Sequence, residues 1–98
     1  MGINCLSDDE IITLNKGKQQ LDGVRAVIGA GTGLGQAILL PERDDWRIVA
    51  TEGGHVDFAP RNDLQMALLS YLLPQFGHVS YERVVSGAGL VSIYHFLC

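Results

Sequence analysis

The feature that most constrains this chain is a glycine-rich run, VIGAGTGLG at residues 27–35, in which four glycines alternate with other residues after an apolar stretch. The apolar residues predict a buried strand, and the alternate glycines predict a tight turn whose N–H groups can converge on an anion such as phosphate. The run lacks the third glycine of the dinucleotide-binding fingerprint and the Gly-Lys-Ser/Thr of a P-loop. A plain glycine-rich hairpin between two strands is the alternative interpretation.

Two further segments place glycines beside polar residues: EGGHVDFAP at residues 52–60 and GHVSYERVVSGAGL at residues 77–90. In this order and near these spacings, the three segments closely resemble the bacterial ATP-dependent glucokinase family of the actin/hexokinase superfamily, over residues 24–96. The resemblance implies an α/β fold of the ribonuclease H-like actin/hexokinase ATPase type. It also implies phosphorylation of glucose at its 6-hydroxyl, with ATP and Mg²⁺ as cofactors.

Three polar side chains are the candidate sugar ligands. Glu52 and His55 flank two glycines, and a carboxylate beside an imidazole can accept and donate hydrogen bonds to a polyol. The resemblance implies that both contact glucose hydroxyls and that Glu82 is a third sugar-binding acid. The residues alone leave other interpretations open: a solvated carboxylate for Glu82, a turn-anchoring role for His55, or a metal pair of His55 and Asp57. We expect Asp57 to be a hydrogen-bond acceptor in a turn or behind the ligands, His78 to be structural, and no metal site.

The glycine turn is the candidate phosphate site. The resemblance implies that it is the second phosphate-binding hairpin of the superfamily, in which backbone amides and a hydroxyl meet the ATP phosphates at Gly31, Thr32 and Gly33. Thr32 is the side chain expected to contact phosphate, and Gly33 is expected to lie between nucleotide and sugar. The sequence departs from the family at Ala88, where proline is common, which is a mild change in the first turn of a helix.

Composition and charge argue against several classes of partner. Hydrophobic residues make up 47% of the 98-residue chain and charged residues 18%, as is typical of a folded globular segment. A net charge of −4 with seven scattered Lys and Arg residues argues against nucleic acid as a partner. No apolar run reaches the length of a membrane span, and no secretion signal is recognisable. Cys5 and Cys98 lack metal-site spacing and are interpreted as reduced thiols of a cytoplasmic protein.

The hydrophobic pattern predicts strands in the first half of the chain and helices in the second. Strands are predicted over residues 24–28, 35–40 and 46–51, and their short connections favour an antiparallel three-stranded meander. We expect one partial domain without a linker or a repeat. Its predicted parts are an irregular entry at residues 1–22, the strands with the glycine turn at residues 23–60, and the helices at residues 61–98.

Helix signals begin at Asn62, which can cap free N–H groups while Gln65 reaches back in a capping box. Pro74 is predicted to end this helix. Ser80 is predicted to open a short helical turn, and Ser86 a helix of about ten residues. One face of the first helix is apolar, and three of its side chains are predicted to be core: Leu64, Leu68 and Leu72.

Chain length separates the function of the family from the activity of this chain. Sugar kinases of this family have two lobes that close on the substrate, so we expect 98 residues to be an internal piece of a longer enzyme. The first phosphate loop, the segment of the catalytic aspartate and the adenosine-binding segment are not found. We therefore predict no catalytic residue in this chain, no glucokinase activity of the chain alone, and a tendency to form homo-oligomers. A non-catalytic sugar- and phosphate-binding module is the alternative function.

Overall fold

The architecture is a three-stranded antiparallel sheet followed by two helices, as the sequence predicts. A computed structural model describes residues 5–98, so the first four residues of the predicted irregular entry lie outside the described part. Short 3₁₀ turns occur before the sheet, after it and between the helices. The strands and helices are β1 (Arg25–Ala30), β2 (Leu34–Glu42), β3 (Asp45–Thr51), α1 (Asp63–Phe76) and α2 (Gly87–Leu97).

The strands lie in the order β1-β2-β3, with β2 in the centre. Strand β2 is longer than predicted, because it continues through Pro41 to Glu42, which pairs with Asp45. The connection to β3 is therefore two residues long. Beyond Leu39, strand β2 pairs with β3 alone among the described residues, so no second strand in that part of the chain requires the N–H that Pro41 lacks.

Both helices begin at the predicted capping residues. The side-chain oxygen of Asn62 accepts a hydrogen bond from the Gln65 N–H at 2.9 Å. The Gln65 side chain reaches back one residue further than a capping box requires, and it accepts from the Arg61 N–H at 2.8 Å. At α2, the Ser86 hydroxyl accepts from the Gly89 N–H at 3.0 Å. The bonds to Asn62 and Ser86 satisfy N–H groups that a helix leaves free at its start.

The predicted end of α1 is wrong. The helix continues through Pro74 to Phe76, because Pro74 lies in the last turn, where its missing N–H interrupts little of the helix. Gly77 ends the helix with a φ of 68°, in the left-handed region that glycine adopts without strain. The Gly77 N–H donates to the Leu73 carbonyl at 2.8 Å, which satisfies one of the last carbonyls of the helix.

The core lies in residues 56–97, which we name the helical half. Two leucines of α1 are buried there, and Leu72 is fully enclosed. Leu64, by contrast, was predicted to be core but is 61% exposed, since no described residue covers the first turn of α1. The buried cluster consists of Phe58, Leu68, Leu72 and Val79.

Residues 25–51, which we name the sheet half, bury little. Among the strand residues only Leu39 is buried. The strand register puts three exposed apolar side chains on the same face of the sheet: Ile28, Ile38 and Val49. Neither helix of the described chain is long and apolar enough to span a membrane.

Candidate functional site

The glycine turn joins β1 to β2 and lies against the start of α2. The Gly31 N–H donates to the Gly33 carbonyl at 2.9 Å, and the Gly31 carbonyl accepts from the Gly87 N–H at 2.7 Å. The second bond fixes the turn beside the N-terminus of α2, where a helix carries partial positive charge. Turn amides next to a helix N-terminus form a surface to which anions bind.

The loop after β3 folds back over β2. The Thr51 hydroxyl donates to the Gln36 carbonyl at 3.1 Å. A Cβ added to Gly53 would meet the Gln36 side chain, and one added to Gly54 would meet the Leu34 carbonyl oxygen. Neither glycine has a positive φ. Both are therefore needed because this loop approaches β2 closely, and not because of their backbone conformation.

The three candidate sugar ligands lie together where the sheet half meets the helical half. His55 Nε2 is 3.3 Å from Glu52 Oε2, and His55 Nδ1 is 3.9 Å from Glu82 Oε1. The imidazole therefore lies between two carboxylates. The Glu82 side chain is 32% exposed, against 88% for Glu52, and its other oxygen, Oε2, accepts a hydrogen bond from the Leu34 N–H at 2.9 Å.

One open cleft of about 470 Å³ is lined by all six candidate residues, with the glycine turn on one side and the polar side chains on the other. At Gly31 the cleft is open, since an added Cβ would have no atom within 4 Å. The arrangement has the donors and acceptors to hold a hydroxyl-rich ligand beside an anionic group. The six residues are Gly31, Thr32, Gly33, Glu52, His55 and Glu82.

Two groups that line the cleft were missed by the sequence analysis. Gln36 pairs with Thr51 in the sheet, and its side chain occupies the space that Gly53 leaves open. A polar residue in an otherwise apolar strand was a signal for it. The backbone N–H of Leu34 has no such signal, because every residue except proline carries one.

A second polar contact joins the same two segments outside the cleft. Asp57 Oδ1 and His78 Nε2 are 2.5 Å apart, and both side chains are exposed. Beside them, the Phe58 N–H donates to the Val79 carbonyl at 2.8 Å. This contact was not predicted from the sequence, and the structural role expected of His78 stays a prediction. Together these bonds fasten the loop after β3 to the segment that carries Glu82.

The potential metal ligands among the described residues do not form a metal-binding group. No group of three or more His, Cys, Asp or Glu residues in the described part of the chain is placed to hold a metal ion. Asp57 contacts His78, so it is not directed to a shared site with His55. Cys5 and Cys98 are both free and exposed.

Comparisons with known proteins point in one direction. The family model described as Glucokinase matches residues 1–98. A glucokinase from Trichormus variabilis is 51% identical over 98 residues, which cover 98% of this chain and 29% of that protein. A glucokinase from Chromohalobacter salexigens is 40% identical over 94 residues, which cover 96% of this chain and 30% of that protein. The chain thus spans about 29% of the length of the curated relatives it matches.

Solved structures agree with the sequence matches. A glucokinase from an Antarctic psychrotroph matches with a TM-score of 0.83 and 33% identity, over 94% of this chain and 29% of that chain. A glucokinase from Balamuthia mandrillaris in complex with glucose matches with a TM-score of 0.72 and 30% identity, over 82% of this chain and 24% of that chain. Since the family model matches residues 1–98, which is the whole of this chain, the chain belongs to the glucokinase family.

Proposed function

We propose that this chain supplies hexose- and phosphate-binding residues of an ATP-dependent glucokinase, which transfers a phosphoryl group from ATP to the 6-hydroxyl of glucose. The observation that carries the proposal is that one cleft collects all six candidate residues from segments far apart in the sequence. Family membership supports the reaction class.

On the hexose side, the polar groups suit a polyol. The carboxylates of Glu52 and Glu82 accept hydrogen bonds from hydroxyls, and the His55 ring can donate one. Bonds to ionised acceptors are the stronger ones, so a hexose would gain affinity chiefly from the two glutamates. The similar Balamuthia mandrillaris glucokinase was solved in complex with glucose, which supports glucose as the hexose. We assign the glutamates to binding and expect the general base elsewhere.

On the nucleotide side, the glycine turn offers donors to phosphate oxygens. The Thr32 hydroxyl and the N–H groups of Thr32 and Gly33 are the donors, since the Gly31 N–H is bonded to the Gly33 carbonyl. The open space at Gly31 leaves room for a phosphate. No cluster of carboxylates in the described residues is placed for Mg²⁺. Magnesium in kinase sites is held largely by phosphates and water, so we assign no step at the metal to these side chains.

The proximity of the two binding surfaces matters for the reaction. Phosphoryl transfer depends mainly on holding acceptor and donor in line and on stabilising the charge of the moving group. Because the turn and the three polar side chains line one cleft, this chain would hold the sugar beside the phosphates. Its residues would bind and orient both substrates while the remaining chemistry comes from other segments.

Substitutions in a full-length glucokinase that carries residues 5–98 of this chain would test the proposal. Glu52→Gln and Glu82→Gln keep the side-chain shape and remove the charge, so each should raise the KM for glucose roughly tenfold to hundredfold with little change for ATP. Thr32→Val should raise the KM for ATP and spare that for glucose. Glu42→Gln is the matched control, since Glu42 forms an ion pair with Arg47 at the opposite end of the sheet from the glycine turn and lies outside the cleft.

Two outcomes would contradict this division of the cleft. One is that both glutamate variants bind glucose normally. The other is that Thr32→Val weakens glucose binding more than it weakens ATP binding. Calorimetry that measures glucose binding to the 98-residue chain helps to distinguish the glucokinase role from the alternative function. Glucose binding without any formation of glucose 6-phosphate in the full-length enzyme would favour a non-catalytic binding module.

A further inference from the structure

The Glu82 carboxylate contacts both sides of the cleft. Its Oε2 accepts the Leu34 N–H at 2.9 Å, from the residue that follows the glycine turn, and its Oε1 faces His55 at 3.9 Å. Leu34 is 48 residues away in the sequence. The bond is partly buried, so water competes for it less than at an open surface. One side chain therefore joins the turn to the sugar ligands.

The Glu82 carboxylate occupies the space in which a side chain at position 33 would begin. A Cβ added to Gly33 would lie 2.6 Å from Glu82 Oε2, closer than any real contact of that kind. The neighbouring Gly29 and Gly31 differ, because a Cβ on either would have no atom within 4 Å. None of the three has a positive φ, so backbone conformation does not require glycine at these positions. At position 33 a Cβ would displace the Glu82 carboxylate, so glycine leaves the space that this carboxylate occupies.

We propose that Gly33 and the backbone N–H of Leu34 are positioning groups for Glu82, so that the glycine turn sets the affinity for hexose as well as for phosphate. The N–H holds one carboxylate oxygen, which leaves the other directed toward His55 and the sugar. A hydrogen-bonded carboxylate loses less conformational freedom when the sugar binds than a free one would. This inference rests on the proposed role of Glu82 in binding glucose.

Gly33→Ala tests the inference in the same full-length glucokinase. The Glu82 carboxylate is the flexible end of a side chain, so it can move away from the new methyl group while the fold is kept. The turn amides are also kept, so donors to phosphate remain. We expect the Kd for glucose to rise roughly tenfold and the KM for ATP to change less than about twofold. Gly17→Ala is the control, because a Cβ added there also has no atom within 4 Å and Gly17 lies outside the cleft. It should bind glucose like the parent enzyme.

A double-mutant cycle separates positioning from direct contact. Glu82→Asp shortens the side chain by one methylene, which withdraws the carboxylate from the space beside position 33. In that background, Gly33→Ala should add less than about a twofold loss of glucose affinity, because the two changes act on one interaction. An equal loss in both backgrounds would mean that residue 33 acts on the sugar directly, and the inference would be wrong.

A readout without sugar separates this inference from the proposed function. Hydrogen exchange of the Leu34 N–H in the 98-residue chain should become at least about fivefold faster in Gly33→Ala and in Glu82→Ala. Unchanged exchange in both variants would overturn the positioning role, whatever binds in the cleft. A parent enzyme that fails to bind glucose, with exchange that responds as expected, would instead overturn the proposed function and leave the Leu34 contact established.

Discussion

The helical half and the sheet half of this chain are held together by different interactions. The helical half has a core in which Leu72 is fully buried. The sheet half is a hydrogen-bonded ladder in which only Leu39 is buried, while Ile28 is 67% exposed. The ladder satisfies backbone polar groups without removing much apolar surface from water. Burial contributes about 1.5–3 kcal/mol for a large apolar side chain, so the helical half should carry most of the stability.

The cleft lies at the boundary between the halves and depends on both. Its glycine turn belongs to the sheet half, and Glu82 belongs to the helical half. The bond between the Leu34 N–H and Glu82 crosses the boundary, and Gly54, in the loop that connects the halves, packs against β2. The difference between the halves therefore predicts where substitutions change stability and where they change only the cleft.

The largest expected effect is the loss of a core side chain in the helical half. Leu72→Ala should lower the free energy of unfolding by about 2–5 kcal/mol, because it leaves a cavity among packed neighbours. Ile28→Ala in the sheet half should lower it by less than about 1 kcal/mol, since that side chain is already exposed. Urea unfolding of the 98-residue chain measures both. Equal losses would remove the proposed difference between the halves.

The next effect concerns the boundary. Gly54→Ala would bring a methyl group against the Leu34 carbonyl oxygen, and a backbone atom cannot move aside as a side-chain end can. We expect a loss of about 1–3 kcal/mol in the free energy of unfolding, typical of overpacking. Gly29→Ala is the control, with open space at its Cβ. Thermal unfolding measures the effect. If Gly54→Ala unfolds at the same temperature as the parent chain, the loop after β3 is not packed against β2.

A smaller effect is expected at the start of α1. Asn62→Ala removes the acceptor of the Gln65 N–H, and it should cost about 1 kcal/mol of unfolding free energy. Ser70→Ala is a suitable control, because the Ser70 hydroxyl bonds only to the Met66 carbonyl within the helix. In urea unfolding, the free energy of unfolding of Ser70→Ala should lie within about 0.5 kcal/mol of the parent value. A control as costly as the cap variant would contradict the capping role.

The smallest effect is expected before the sheet, outside both halves. The backbone N–H and the hydroxyl of Ser7 each donate to the Glu10 carboxylate at 2.9 Å. These bonds, the backbone one first, lower the pKa of Glu10 from its ordinary value. Their stabilising effect is therefore present above the unfolded pKa of Glu10 and is lost as the pH falls through the folded pKa.

Because Glu10 is fully exposed, its protonation should loosen this 3₁₀ turn without shifting the unfolding transition of the sheet and the helices. An NMR titration that follows the Ser7 N–H should report the folded pKa of Glu10 below its ordinary value. Ser7→Ala removes the hydroxyl donor and keeps the backbone donor. The pKa of Glu10 should therefore rise part of the way back to its ordinary value. If the pKa of Glu10 is the same in Ser7→Ala as in the parent chain, the backbone bond alone causes the shift.

Features that depend on near neighbours in the sequence were predictable. The order of strands and helices follows from the hydrophobic pattern, and the caps at Asn62 and Ser86 follow from short polar side chains before apolar runs. Pro74 and Leu64 were predicted wrongly for two reasons. The cost of a proline depends on its place in the helix, and burial depends on whether another segment covers the position.

The candidate site was predicted from three segments that resemble one family and were expected to meet at one edge, and the family is now shown by the match along the whole chain. The sugar roles of Glu52, His55 and Glu82 and the phosphate roles of the glycine turn stay predictions. What the pattern lacked was the relation between the segments. Spacing along the chain does not give the distance between residues that different elements carry.

The sequence by itself determined the local elements, the tight turn at the alternate glycines and the family, because each is encoded in contiguous residues. The tertiary structure alone decided that the Glu82 carboxylate lies against Gly33 and accepts the Leu34 N–H. That contact joins residues far apart in the chain and uses a backbone donor that every strand offers. It exists because the helical half packs into one arrangement, which places Glu82 beside the turn.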